Sequence, residues 1–148
     1  MLSEHLETTG TCWCSCGEEV ETGAFFTPGH DSVAESSILD LKYGGRPELL
    51  AEHGYGPGQE NLYEAVKRKY APLAKHLATQ TSDRVILAFD DIEQIIGAAL
   101  PRMARSNRNW WLHNGNRIHP YAWIEVGWDV NRISIKRQVI TFVRDESA

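Results

Sequence analysis

The feature that most constrains this chain is a cluster of three cysteines, Cys12, Cys14 and Cys16, in a sequence that contains no others. An odd set on one short segment is a poor disulfide framework, because alternate residues so close together rarely reach disulfide geometry. Thiolate and imidazole groups are instead the ligands that structural zinc sites use, in closed sets of four. His30 lies in a Gly-His-Asp sequence just before a predicted helix and completes such a set. We therefore predict one structural Zn²⁺ bound by these four side chains.

The backbone around the cysteines is expected to bring the ligands together. In an extended segment alternate side chains point to the same side, so the three sulfurs converge if the chain bends at Gly17. A hairpin predicted over 18–29 then returns the chain to His30. Two alternatives remain open: free cysteines packed as small hydrophobic residues, or a site built from two cysteines and Asp31 or His5.

Charge divides the sequence into two parts. Residues 1–61 hold eleven acidic and two basic side chains, a formal charge of −9, whereas residues 62–148 hold nine acidic and thirteen basic ones, or +4. A sign change of this size suggests two modules with different partners. The glycine-rich segment Gly54–Glu60 is the best boundary between them, although it would also suit a loop within one body. We predict an acidic zinc-knuckle module over 1–58, with zinc supplying much of its folding free energy, and a basic domain over 59–148.

The sequence has no apolar run of the length needed to cross a bilayer, which predicts no membrane partner. The segment Met1–Gly10 is polar and acidic and has no signal-peptide pattern, so we expect a cytoplasmic protein. The sequence does not indicate an oligomeric state.

Helical patterns dominate the first half after the cysteines. A helix is expected to begin at Asp31 as N-cap and to end at Gly44-Gly45. A second short helix is predicted over 47–53, with Leu49 and Leu50 facing inward. The inward apolar stripe of the first helix would consist of Val33, Ile38, Leu39 and Leu41.

The second half reads as an α+β domain with a C-terminal β-hairpin. The patterns first predict a helical lead-in over 62–69, a helix from Pro72 to Thr79 and a strand over 85–89. A helix capped by Asp90 and ended by Gly97 follows, and then a helix opened by Pro101 and an irregular segment over 110–116. The last predicted elements are a helix over 120–127 with Val126 in the core, and strands over 130–135 and 139–143. This order is close to a winged helix-turn-helix, although residues 100–116 interrupt the motif. We therefore predict a zinc-knuckle module followed by a winged-helix-like domain, with another small α+β fold as the alternative.

The cysteine segment resembles a known class of metal-binding motif. CWCSCGEEV and FFTPGHD, over residues 11–31, are similar to the C-x-C-G-C-G … F-x-x-G-H segment of treble-clef-like zinc knuckles, which occur in many bacterial and phage proteins. The middle glycine of that pattern is Ser15 here, and all four ligand positions are intact. The resemblance implies a bound metal; it does not imply a nuclease.

Residues 70–144 resemble a second family, an uncharacterised small domain that is widespread in bacteria and their phages. The resemblance rests on VILAFDDIEQIIG, LPRMA, RNWWLHN, His119, Trp123, GWDV and ITFVR. It implies a common fold, and DNA binding is the activity expected where such domains have one.

Cations in the second half point to nucleic acid. Three arginines at a spacing of three residues share one face if they lie on one helix, and the Lys-Arg pair of the hairpin turn would sit at a wing tip. Asparagine amides suit base edges. The residues predicted to contact nucleic acid are Arg102, Arg105, Arg108, Asn114, Arg117, Lys136 and Arg137.

The aromatic residues nearby have two interpretations. Trp110 and Trp111 could stack on exposed bases, but at least one of them is expected in the core with Trp123 and Trp128. His119 could read a ligand or form a hydrogen-bonded pair with Asn114 that holds the irregular loop.

These features favour a non-catalytic DNA-binding or nucleoprotein regulatory protein, of a kind that phages and mobile elements encode. Its partner would be duplex DNA, or a basic protein or nucleoprotein complex. The alternative is an interaction module whose acidic, zinc-stabilised half binds a basic partner, as an inhibitor of a host complex would.

An enzyme is the least supported alternative. A metal-dependent nuclease would use His113, His119, Glu125 and Asp129, but the sequence lacks H-N-H, paired-acid and P-loop spacings. We therefore predict no catalytic residues.

Overall fold

The computed structural model describes residues 6–145, and the chain divides into two compact units after Asn61. We call residues 6–61 unit 1 and residues 62–145 unit 2. The fold is mixed, with helices in both units and a three-stranded antiparallel sheet in unit 2. Among the described residues, no helix has the length and apolar character needed to cross a membrane.

Unit 1 is helical after its cysteine turn. Helix α1 (His30–Ile38) continues into a single π-helical turn (Leu39–Tyr43), and α2 (Arg46–Glu52) follows. The predicted N-cap at Asp31 is wrong: Gly29 occupies the cap with a φ of 87°, and Asp31 lies in the first turn of α1, where a carboxylate favours the helix dipole.

The predicted hairpin over 18–29 is also wrong. Those residues contain no strand, and the pairing partner of Glu19 is Thr11, on the far side of the cysteines. The segment is held instead by single backbone bonds, such as Trp13 N–H to the Phe25 carbonyl oxygen at 2.9 Å. The chain therefore reaches His30 through a series of turns.

The apolar stripe predicted for the first helix is largely exposed. Ile38 is 52% exposed and Leu41 77%, Val33 is exposed as well, and Leu39 is half-buried. The π-helical turn changes the angular spacing of the side chains after Ile38, so the stripe does not continue along one face. Leu50, predicted to face inward on α2, is 37% exposed.

Unit 2 begins with one long helix, α3 (Leu62–Ala78), which passes through Pro72. The prediction of a helix that starts at Pro72 is therefore wrong. Proline removes one backbone hydrogen bond, but Tyr70, Leu73 and Leu77 bury their side chains in the core around it. Tertiary packing thus outweighs the local interruption.

The sheet of unit 2 consists of β1 (Arg84–Ala88), β2 (Trp128–Ser134) and β3 (Val139–Arg144), in the order β1-β3-β2. Helices α4 (Phe89–Ile96), α5 (Arg102–Ser106) and α6 (Tyr121–Ile124) and a 3₁₀-helix (Arg108–Trp111) connect β1 to β2.

Details of these elements correct three predictions. The N-cap of α4 is Ala88, whose N–H donates to Asp91 at 3.0 Å, so Asp90 is inside the helix. Val126 is 40% exposed and lies outside the core. Helix α5 ends at Ser106, and an extended Asn107 then redirects the chain into the 3₁₀-helix, so Arg108 does not share a helix with Arg102 and Arg105.

The hydrophobic core belongs to unit 2. It contains four of the five tryptophans together with Phe89, Phe142, and leucine and isoleucine side chains from α3, α4 and the sheet. In unit 1, Cys12 is the only buried residue within the described range 6–61.

Candidate functional site

The three cysteines lie on a tight turn. The N–H of Ser15 donates to the carbonyl oxygen of Cys12 at 3.2 Å, and Ser15 has a φ of 77°, in the left-handed region. The expectation of an extended segment was therefore wrong, although the chain does turn at Gly17, with a φ of 91°. The sulfurs converge because the backbone curls around them, and a non-glycine residue at position 15 accepts about 1 kcal/mol or more of strain to allow it.

The turn brings the predicted ligands together. The Nδ1 atom of His30 lies 3.7 Å from Cys12 Sγ, 3.3 Å from Cys14 Sγ and 3.5 Å from Cys16 Sγ. The sulfurs of Cys12 and Cys14 are 3.4 Å apart, and all four ligand atoms lie within 4.8 Å of one another. The three cysteines are free thiols, not a disulfide.

These separations are close to those expected for tetrahedral coordination of one metal ion. With Zn–S of about 2.3 Å and Zn–N of about 2.0–2.1 Å, tetrahedral angles place sulfur and nitrogen about 3.6 Å apart and two sulfurs about 3.8 Å apart. The cluster could therefore hold a metal ion with small adjustments. Three soft sulfurs and one imidazole are consistent with zinc, but other thiophilic metals would accept the same set.

Backbone N–H groups surround the sulfurs. The N–H of Thr27 donates to Cys12 Sγ at 3.3 Å, and the N–H of Glu18 donates to Cys16 Sγ at 3.5 Å. Desolvation raises the pKa of Cys12, but hydrogen bonds from the backbone of Cys14 and Thr27 outweigh it and lower the pKa to about 6. Such donors stabilise thiolate, which is the form that binds metal.

Burial and the neighbouring sulfurs have the opposite effect on the pKa of Cys14, the central thiol of the three. Desolvation, followed by contact with the sulfurs of Cys12 and Cys16, raises the pKa of Cys14 to about 11. Neighbouring thiolates repel one another in the absence of a cation. A positive ion bound among the sulfurs would relieve this repulsion.

The fourth candidate ligand, His30, is positioned by the start of α1. The N–H of His30 donates to the carbonyl oxygen of Thr27 at 2.9 Å, and the left-handed Gly29 turns the chain so that His30 begins the helix. Trp13 of the turn packs edge-on against Phe25 at a centroid distance of 5.1 Å. Thr27 and Glu18, which donate to the sulfurs, were not singled out from the sequence, because backbone donors leave no residue-type signature.

The predicted nucleic-acid residues separate into different environments. Arg105 is half-buried and engaged within the domain: its guanidinium contacts Asp90 at 2.8 Å and Glu93 at 2.9 Å, and donates to Gln138 Oε1 at 2.9 Å. The hydrogen bond to Asp90, and then Glu93, raise the pKa of Arg105. This arginine ties together α4, α5 and the hairpin turn, and its predicted contact with phosphate stays a prediction.

The same network brings two exposed basic segments together. Gln138 also donates from its amide to the Arg105 carbonyl oxygen at 3.0 Å, so α5 lies directly against the hairpin turn. We call the exposed cations beside this contact the basic end. They are Arg102 of α5, Arg108 of the 3₁₀-helix, and Lys136 and Arg137 of the turn.

Arg117 and Asn114 belong to a different part of unit 2. Both are exposed in the segment between the 3₁₀-helix and α6, where Asn114 Oδ1 accepts from the Asn116 N–H at 3.1 Å. Arg117 acts electrostatically on His119, together with Lys69 of α3.

Residues 70–145 match a family described as a domain of unknown function, DUF7662, and this match covers 76 of the 148 residues, which is just over half. The chain belongs to the DUF7662 family. No curated protein and no solved structure gives a significant match. The DUF7662 domain therefore comprises the second half of α3, the sheet and all of the smaller helices between its strands.

The tryptophans of the DUF7662 domain are structural. Trp110 and Trp111 are both buried, and Trp111 donates from Nε1 to the Ala104 carbonyl oxygen at 2.7 Å. Neither can serve as an exposed stacking platform. His119 is buried too, with Nε2 2.6 Å from the Trp110 carbonyl oxygen, so its predicted pairing with Asn114 was wrong.

The residues considered for a nuclease do not converge in the DUF7662 domain. Glu125 forms an ion pair with Lys67 at 3.0 Å, Asp129 accepts from the Val130 N–H at 2.8 Å, and His113 packs against Tyr121. Within residues 6–145, the cysteine cluster with His30 is the one group of three or more His, Cys, Asp or Glu side chains close enough to share a metal ion.

Proposed function

We propose that this protein is a non-catalytic DNA-binding protein, in which the basic end of the DUF7662 domain contacts the backbone of duplex DNA. A zinc ion at the Cys12, Cys14, Cys16 and His30 cluster would keep unit 1 folded. The observation that carries the proposal is the double hydrogen bond between Arg105 and Gln138, which holds α5 with its exposed Arg102 against the turn that carries Lys136 and Arg137. Arg108 follows α5 on the 3₁₀-helix.

The topology supports this proposal. Unit 2 has the order helix, strand, helices, strand, strand, with β3 between β1 and β2. We interpret this as a winged-helix-like arrangement in which the turn between β2 and β3 is the wing and α5 lies beside it. In such an arrangement Lys136 and Arg137 would contact phosphates from the wing tip, and Arg102 and Arg108 would do so from the helical side.

The number of cations in the basic end determines how steeply the affinity for DNA should depend on salt. Four phosphate contacts predict a slope of about −3.6 in a plot of log affinity against log salt, or a loss of about 150-fold between about 50 and 200 mM salt. Binding of this kind is weakly specific, because phosphate contacts position a protein without reading sequence. We therefore expect moderate affinity for duplex of any sequence.

The test is fluorescence anisotropy of the full chain on a random-sequence duplex across that salt range. The double variant Lys136→Gln with Arg137→Gln should reduce the salt slope by about 2, and Arg108→Gln should reduce it by about 1. Lys75→Gln is the matched control, because Lys75 is an exposed cation of α3 outside the basic end. Undetectable binding of duplex at the lowest salt, or an equal effect of the control, would reject the basic end as a DNA contact.

The metal has a separate test. Thiolate-rich tetrahedral sets select zinc over harder divalent cations, so elemental analysis should find about one zinc per chain in purified protein. Cys12→Ser should abolish that stoichiometry, because Cys12 is the buried ligand. Protein that retains its fold without any transition metal would contradict the structural role.

A further inference from the structure

The helices of unit 1 enclose an apolar groove that the cysteine cluster does not use. It lies between α1 with its π-helical turn on one side and α2 on the other, and has a volume of about 850 Å³. Its apolar lining consists of Phe26, Ile38, Leu39, Tyr43, Leu49 and Leu50. Side chains that a globular protein would normally bury therefore form a concave, accessible surface.

The exposure of this lining distinguishes it from a core. Ile38 is 52% exposed and Leu50 is 37% exposed, and both face the same cavity. Leu41 and Val33 are also exposed, but neither lines the groove. A contiguous apolar concavity rimmed by polar groups is typical of a binding site, whereas single exposed apolar residues are common on any surface.

Charge around the groove selects a basic occupant. Asp31 and Glu35 of α1 line it together with a single cation, Arg46. The surrounding segment 1–61 has a formal charge of −9. A partner with lysine or arginine beside its apolar anchors would be attracted by this field and aligned by the two carboxylates, and an acidic partner would be repelled.

The dimensions of the groove favour a short helix as the occupant. One of its walls is α2, whose seven residues rise about 10 Å, or roughly two helical turns. An amphipathic helix places apolar residues at positions i, i+3 or i+4, and i+7 on one face, which spans the same distance. Two to three such anchors would meet the lining on both sides of the groove.

We propose that unit 1 binds a basic amphipathic helix of a partner protein in this groove, with apolar anchors against Ile38 and Leu50 and cations near Asp31 and Glu35. The proposal is independent of DNA binding, because no residue of the basic end takes part in it. The cysteine cluster would contribute indirectly, by fixing Phe26 and the start of α1 on the groove wall.

The first experiment uses two fluorescent peptides with the full-length, zinc-loaded protein. One peptide repeats leucine and lysine so that all leucines share one helical face; the other has the same composition in an order that gives no apolar face. We expect the amphipathic peptide to bind at least about 10-fold more tightly, a difference of about 1.4 kcal/mol. Equal binding of the two peptides would show charge attraction alone and would overturn the groove.

Matched variants then locate the site. Ile38→Asp should weaken binding of the amphipathic peptide by about 10-fold or more, because a charge would face the apolar anchors, whereas Leu41→Asp outside the groove should change it by less than about 2-fold. Glu35→Lys should weaken it more than Glu52→Lys, an equal charge change on α2 away from the lining. Retained zinc in every variant would show that unit 1 is folded.

Two results would overturn the proposal even if the peptide binds. Equal losses in the groove variants and in their controls would place the binding elsewhere on the acidic surface. A concentration-dependent dimer that Ile38→Asp dissociates and that excludes the peptide would identify a second copy of this chain as the occupant. Light scattering of the wild type and of Ile38→Asp at matched concentrations measures this directly.

Discussion

His119 is held in the DUF7662 domain by aromatic side chains on several sides. Its ring stacks on Trp110 at a centroid distance of 3.7 Å and lies within 6 Å of Tyr70 and Trp123. Burial lowers the pKa of His119 to about 4, against a hydrogen bond to the Trp110 carbonyl oxygen that raises it. Because a carbonyl oxygen only accepts, the neutral ring donates its Nε2 proton in this bond.

This pKa predicts how stability depends on pH. Below about pH 6.5 the unfolded chain binds a proton at His119 that the folded chain does not bind until about pH 4. The free energy of unfolding should therefore fall by about 2–3 kcal/mol as the pH falls through this window. Urea unfolding of the wild type and of His119→Gln, which keeps a donor but does not titrate, measures the difference. Parallel pH profiles for the two proteins would contradict the prediction.

Single residues also show what the sequence could and could not predict. The cluster that could hold a metal was predictable because its four residues lie within twenty positions and zinc accepts few ligand types. The contacts of Arg105 were not predictable, because its partners Asp90 and Gln138 lie 15 and 33 positions away in the sequence. Only the fold brings these residues together. An arginine that links elements of the fold and an arginine that contacts only solvent have the same sequence pattern.

At the scale of elements, α3 shows local preference and tertiary packing in conflict. Pro72 predicts a break, yet the helix is continuous because residues on both sides of it pack into the core. The end of α5 was also not predictable from local sequence preference. There the side chain of Asn107 accepts a hydrogen bond from the Asn109 N–H at 2.8 Å and stabilises the change to a 3₁₀-helix. Element type was predictable from periodicity, whereas boundaries depended on contacts of this kind.

The proline leads to a prediction for the helix. Pro72→Ala should raise the free energy of unfolding by about 2 kcal/mol, because alanine restores a backbone hydrogen bond and outweighs the greater entropy of the unfolded chain. Pro72 is exposed, so the change should not disturb the core. Lys75→Ala in the same helix is the control and should change stability by less than about 0.5 kcal/mol. Thermal or urea unfolding of both variants tests this, and a destabilised Pro72→Ala would show that the ring itself makes a needed contact.

At the scale of the whole molecule, the two units are stabilised by different means. Unit 2 buries seventeen hydrophobic residues in one cluster, whereas Cys12 is the only buried residue in the described part of unit 1. A segment with so little buried apolar surface does not offset its conformational entropy without another source of free energy. The cysteine cluster is the feature of unit 1 that could provide it.

If zinc occupies the cluster as proposed, removing it should therefore unfold unit 1 and leave unit 2 intact. Structural zinc contributes on the order of 10 kcal/mol in small zinc-binding domains, far more than the remaining contacts of unit 1 would supply. Nitrogen–proton correlation spectra of the full chain, recorded under reducing conditions with and without a strong chelator, would assign the loss to particular residues. Backbone signals of residues 11–52 should collapse toward unfolded positions, and those of the sheet strands at 84–88, 128–134 and 139–144 should keep theirs.

Two controls separate this explanation from others. Zinc added back in excess of the chelator should restore the signals of unit 1, whereas magnesium should not, because it does not bind thiolates. Spectra that do not change on chelation would mean that turns and backbone bonds alone hold the cluster together. Loss of the sheet signals as well would mean that the core of unit 2 requires the ion, which its buried aromatic residues give no reason to expect.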